Sequence, residues 1–89
     1  MPSNPVFIEK KAKKQLEKLP EELQARISDT IDILQDEGLS QNLDIKKLQG
    51  LGNKYRIRVG KYRVLFELSK NNAITVYAIL PRETAYRKK

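Results

Sequence analysis

The run Tyr55-Arg56-Ile57-Arg58-Val59-Gly60-Lys61-Tyr62-Arg63-Val64-Leu65-Phe66 constrains this chain more than any other stretch. Apolar and basic residues alternate through Tyr55–Val59, the period of a strand with one face in a core. Gly60-Lys61 reads as a two-residue turn of the Gly-X kind, and a second strand returns from Tyr62. That turn sets the register: Val59 faces Tyr62, Arg58 faces Arg63, Ile57 faces Val64, Arg56 faces Leu65 and Tyr55 faces Phe66. One face, Tyr55, Ile57, Val59, Tyr62, Val64 and Phe66, belongs in a core. The other carries Arg56, Arg58 and Arg63 beside Leu65. Two arginines directly opposite across a ladder cost stability. A fold gains nothing from such a pair; an anion site does.

The rest of the composition narrows the chemistry. Eighty-nine residues make a single domain, residues 1–89, with room for one modest core. No apolar run reaches the roughly 18–20 residues of a membrane span, and the N-terminus has no secretory pattern, so a cytoplasmic protein without membrane partners is expected. Cysteine and histidine are absent. Disulfides, Cys/His zinc sites, a cysteine nucleophile and an imidazole base are therefore excluded. Glu67 and Glu83 are too isolated to act as a catalytic pair or to hold a metal, so neither metal nor cofactor is expected. The net charge of +7 is unevenly spread. Residues 1–45 carry six Lys/Arg against nine Asp/Glu, whereas residues 46–89 carry twelve against two. The second half, at +10, repels itself and suits a polyanion or an acidic partner.

Other elements follow in chain order. Val6-Phe7-Ile8 suits a short edge strand. Glu9–Leu19 reads as a helix with Ala12, Leu16 and Leu19 on one stripe, its lysines forming the wet face. Pro20 interrupts, and Glu21-Glu22 suit the positive end of a second helix running to about Glu37. Leu23, Ile27, Thr30, Ile31 and Leu34 form its stripe, and Gly38 its stop. Leu39–Gln49 reads as a linker, with at most a helical turn, anchored by Leu43, Ile45 and Leu48. Gly50-Leu51-Gly52-Asn53 turns into the hairpin. Ala73–Leu80 reads as a last strand with Ile74, Val76 and Ala78 toward the core. Pro81 ends that ladder, and Arg82–Lys89 reads as a polar tail. The expectation is an α+β fold, β-α-α-β-β-β, with an N-terminal strand and a helical hairpin packed on one face of a small antiparallel sheet. Its other face is expected to be open and basic.

On that face Arg56, Arg58 and Arg63 share a rigid hairpin, Arg82 follows the last strand, and Tyr86 lies within reach. Lys46, Lys47, Lys54 and Lys61 surround them, with Arg87 beyond. Guanidinium groups match phosphate oxygens two at a time and remain charged at all relevant pH. Several together neutralise a phosphate and the added charge of a pentavalent transition state. A tyrosine can stack on a base or orient a ribose 2′-OH. RNA supplies its own nucleophile in that hydroxyl. The plainer alternative, a solvated sheet face, fits a single arginine well and the opposed Arg58–Arg63 pair poorly.

These residues, with Leu48-Gln49-Gly50-Leu51, the closing Ile79-Leu80-Pro81-Arg82 and Tyr86-Arg87, resemble the RelE/ParE toxin superfamily over nearly the whole chain. The basic strand, the Gly-x-Tyr-Arg turn and the terminal Arg…Tyr are closer to the RelE branch. The resemblance implies a toxin of a type II toxin–antitoxin pair that enters the ribosomal A site. Such a toxin cleaves mRNA by metal-independent 2′-OH attack, leaving a 2′,3′-cyclic phosphate. It implies basic roles for Arg56 and Arg58, transition-state stabilisation for Arg63, an acid or phosphate contact for Arg82, and a place beside the nucleophile for Tyr86. Lys46, Lys47, Lys54, Lys61 and Arg87 would contact RNA. The family's best-known member has lysines where this chain has Arg56 and Arg58, and arginine is a poor base at neutral pH. The base is then Tyr86 or a lysine such as Lys54 or Lys61, or the activity is weaker. A cognate antitoxin would wrap an amphipathic segment around the toxin in a hetero-oligomer. The alternatives are a ParE-like inhibitor that binds DNA gyrase without nuclease activity, and a simple RNA-binding module.

Overall fold

The computed structural model describes residues 4–50 and 52–87, the last two by backbone only. The elements are β1 (Val6–Ile8), α1 (Lys10–Glu17), α2 (Glu21–Glu37), β2 (Ile45–Lys47), β3 (Lys54–Val59), β4 (Tyr62–Leu68), β5 (Ile74–Pro81) and α3 (Arg82–Arg87). The strands form one sheet in the order β1-β5-β4-β3-β2.

Local chemistry accounts for the helical hairpin. Pro20 precedes α2, whose first turn carries Glu21 and Glu22 toward the positive end of its dipole. Its buried residues are Ile27, Thr30, Ile31 and Leu34, spaced for one face. Gly38 ends the helix at φ +69°, a backbone state that glycine enters without steric cost, and its amide donates to the Leu34 carbonyl at 2.8 Å.

The β3–β4 hairpin has the expected register throughout, from Val59↔Tyr62 to Tyr55↔Phe66. Gly60 stands at φ +58° and Lys61 does not share that sign, the arrangement of a type II′ turn. Ile57, Val59, Val64 and Phe66 join Ala12, Ile27, Ile31, Leu34, Ile74, Val76 and Ile79 in the core beneath α1 and α2. Tyr55 stacks on Phe66 with ring centroids 5.3 Å apart.

Four features depart from the sequence reading. The sheet is mixed, because β1 runs parallel to β5 while the other neighbours are antiparallel. Ile45–Lys47 is a strand rather than linker or helical turn: it pairs with β3 as Ile45↔Ile57 and brings Leu43 and Ile45 against the core. A register shift on β5 makes Tyr77 an extra residue between Val76, opposite Phe66, and Ala78, opposite Leu65. Such a bulge reverses the alternation beyond it. Ile79 therefore takes the helix-side place expected of Ala78. Finally, the C-terminal stretch turns into α3, with Ala85 buried, instead of continuing as a polar tail. This helix touches β4 and β5, and Leu65 and Ala78, which point away from α1 and α2, are buried. The second face is thus partly covered.

Candidate nucleic-acid interface

Pairing places the basic residues in rows on the face away from α1 and α2. One row runs Lys46, Arg56, Leu65, Ala78, and the next holds Arg58, Arg63 and Leu80. Because Ile45 faces Ile57, the preceding Asp44 falls opposite Arg58 and extends that second row. The Asp44 carbonyl accepts the Arg58 backbone N–H at 3.0 Å.

Asp44 organises the cations. Arg56 Nη1 donates to the Asp44 carbonyl at 3.0 Å and to Oδ1 at 3.1 Å, and Arg58 Nε lies 2.6 Å from Oδ2. The Arg56 hydrogen bond, with the Arg58 charge added, holds the Asp44 carboxyl below its ordinary value. The arginines differ in access: the Arg56 side chain is 13% exposed, that of Arg58 57%. The sequence reading missed Asp44. The available signal was its place between the apolar anchors Leu43 and Ile45, which puts a carboxylate on the same face as Lys46.

The opposed arginines occupy different environments. Arg63 is only 3% exposed, and its Nη1 donates to the carbonyls of Gly60 at 3.1 Å and Tyr62 at 2.9 Å. Its guanidinium thus braces the β3–β4 turn. The repulsion expected between Arg58 and Arg63 is relieved within the molecule, by Asp44 on one side and turn carbonyls on the other. The exposed, three-arginine cluster expected from alternation is therefore two arginines on Asp44 and one turned inward.

Arg82 opens α3 at the Val59–Tyr62–Pro81 end of the sheet, where its amide donates to the Lys61 carbonyl at 2.9 Å. Its exposed side chain reaches Glu83 at 3.4 Å, and Lys61 is exposed on the adjoining turn. The Glu83 carboxyl is lowered first by its own backbone amide and then by Arg82. Lys54 lies at the other end of β3, its Nζ 5.1 Å from the Tyr77 ring centroid, a cation–π distance. Burial, and secondly the Glu67 charge, raise the Tyr77 hydroxyl above its ordinary value. Lys46 is exposed beside Arg56, whereas Lys47 pairs with Tyr55 and so belongs to the opposite face. Tyr86 and Arg87 lie on α3, and their side chains fall outside the described residues.

Residues 6–86 match the ParE toxin family, toxins of the parDE type II toxin–antitoxin system. The chain belongs to the RelE/ParE toxin superfamily. It is 36% identical over 75 residues to Toxin RelE3 of Methanocaldococcus jannaschii, spanning 82% of this chain and 84% of that relative. Two solved complexes share the fold. The RelE-RelB complex of Pyrococcus horikoshii has a TM-score of 0.79 at 33% identity, covering 90% of this chain and 96% of the other. The RelB-RelE antitoxin–toxin complex of Methanococcus jannaschii gives 0.80 at 34%, covering 92% and 96%. The isolated Escherichia coli RelE toxin, at 14% identity, with 97% and 99% covered, shares the fold with a TM-score of 0.73. This toxin is therefore of the RelE kind, and the gyrase-inhibitor alternative is not favoured despite the name of the matching family. Among the described residues no helix is long and apolar enough to cross a membrane.

Proposed function

We propose that this toxin is a ribosome-dependent mRNA endoribonuclease that acts in the A site without a metal. The observation that carries the reading is the grip of Arg56 and Arg58 on the Asp44 carboxylate: two guanidinium groups on one rigid strand already hold an oxyanion. An RNA phosphate presents similar oxygens. In the reaction the ribose 2′-oxygen attacks the adjacent phosphorus and the bond to the 5′-oxygen breaks. The 2′-hydroxyl proton passes to a base, and the leaving oxygen gains a proton to become a 5′-hydroxyl. The other product is a 2′,3′-cyclic phosphate.

In this scheme Arg56 and Arg58 bind the scissile phosphate. Arg63 stabilises the pentavalent charge once its guanidinium exchanges a turn carbonyl for a phosphate oxygen. Arg82 assists at the leaving oxygen, and Tyr86 stands near the nucleophile. Lys61 adjoins Arg82, which favours it over Lys54 as the base, because Lys54 stacks on Tyr77. Lys46, Lys54 and Arg87 contribute to RNA attraction, which falls as salt rises, whereas Lys47, on the opposite face, adds only to the overall positive charge. The partners are the ribosome, mRNA and a cognate antitoxin whose amphipathic segment wraps the toxin in a cytoplasmic hetero-oligomer. An antitoxin partner is supported by the archaeal relatives, which are solved as complexes of RelE with RelB.

The test is primer extension on mRNA in a reconstituted translation reaction, with wild type, Arg58→Ala and Arg63→Ala, each with and without ribosomes. New ends that require ribosomes and disappear with either substitution support the reading. A folded, antitoxin-free wild type that cuts nothing overturns it.

A further inference from the structure

We infer that Asp44 is an internal stand-in for the RNA phosphate. Its carboxylate keeps Arg56 and Arg58 in an oxyanion-binding arrangement and has to be displaced before a phosphate can take them. Asp44 is then a specificity-determining residue that lowers affinity for polyanions in general. The inference rests on the proposal that this face binds RNA.

Three observations carry it. First, the placement is set by pairing: Ile45↔Ile57 puts Asp44 across from Arg58, so the carboxylate is delivered to the arginine face by β2 itself. Second, the attachment is divided. The Asp44 main-chain carbonyl accepts both the Arg58 amide and Arg56 Nη1, each at 3.0 Å, while the side chain separately holds Arg56 Nη1 at 3.1 Å and Arg58 Nε at 2.6 Å. The carboxylate can leave while the backbone contacts keep β2 in place. Third, the Asp44 side chain is 43% exposed, so an incoming phosphate can reach the pair from solvent. The Arg58–Asp44 pair, exposed on both sides, is weak enough to be exchanged, and Lys46, two residues along the same face, is available to the freed carboxylate. A phosphate with neighbours to contact wins the exchange; an isolated anion meets a site already occupied.

The test measures binding of a short, uncleavable 2′-O-methyl single-stranded RNA by fluorescence anisotropy at fixed salt. It compares wild type, Asp44→Asn, and the double variant Arg56→Ala/Arg58→Ala. Asp44→Asn keeps the size and an acceptor oxygen but removes the charge. It should tighten binding about tenfold, while the double variant weakens it. If the double variant binds less RNA but a folded Asp44→Asn binds no more tightly than wild type, the inference falls and the RNA reading stands. If the double variant binds as wild type does, this face is not the RNA site and both fall. An NMR titration of the wild type avoids any folding defect. On saturation with the same RNA, the Asp44 carboxyl carbon and Arg58 Nε–H signals should move, and unmoved signals would overturn the inference.

Discussion

The two faces of the β3–β4 hairpin share a backbone and a register, yet they solve opposite problems. The helix-side face, with Ile57, Val59, Val64 and Phe66, is satisfied by burial alone, and nothing outside the chain is needed to complete it. The other face has to accommodate Arg56, Arg58 and Arg63 on two adjacent strands. Among the described residues the Asp44 carboxylate and the carbonyls of a tight turn take part in this. The first face is where stability resides. On the second, a single exposed carboxylate stands against two guanidinium groups, an arrangement that a better anion can replace. The lysines of α1 and its C-cap make a useful contrast, because Lys10, Lys11, Lys14 and Lys18 line a groove yet, among the described residues, none of them is in an ion pair. Charge alone does not make a site; donors fixed in position do.

Substitutions on the two faces should therefore separate stability from activity. Phe66→Ala removes a fully buried ring and its stacking with Tyr55, and should cost about 3–5 kcal/mol in chemical denaturation. A small loss there would mean that the helix-side face is not the stabilising one. Arg58→Ala should do the reverse: a denaturation midpoint near that of wild type, with cleavage in the translation reaction reduced about 10²–10³-fold. A large stability loss from this substitution would show that Arg58 belongs to the structure rather than the site. Gly60→Ala tests the join between the faces. At φ +58° a Cβ is strained, and it would also approach Arg26 Nη1 at 3.3 Å, so a loss of about 1–2 kcal/mol is expected. The smallest effect concerns Asp44. Its carboxyl titrates below the ordinary value of 3.8, so its contribution to stability is complete above that pH and is lost as pH falls through the lowered value. The difference in thermal midpoint between wild type and Asp44→Asn should narrow across that window and remain constant above it.

What the sequence alone determined is what short-range chemistry dictates. Period-two alternation and Gly60-Lys61 set the hairpin register, because a one-residue slip would bury arginines and expose Ile57 and Val64. Periodic apolar residues, Pro20 and Gly38 delimit α2. The arginines that share a strand face were legible for the same reason, and with them the resemblance to RelE toxins. Only the tertiary structure decided the rest. The three residues of β2 are too few to display a period, so their strand exists through pairing with β3. The bulge at Tyr77 exchanges the places of Ala78 and Ile79 without any break in the apolar run. Arg63 reads like its neighbours in sequence, but the fold over Gly60 and Tyr62 turns it inward. Asp44 lies twelve residues from Arg56, and β2 pairing brings its carboxylate onto the arginines. Local pattern depends on neighbours along the chain, whereas burial and charge pairing depend on neighbours in space, and those are known only once the sheet has assembled.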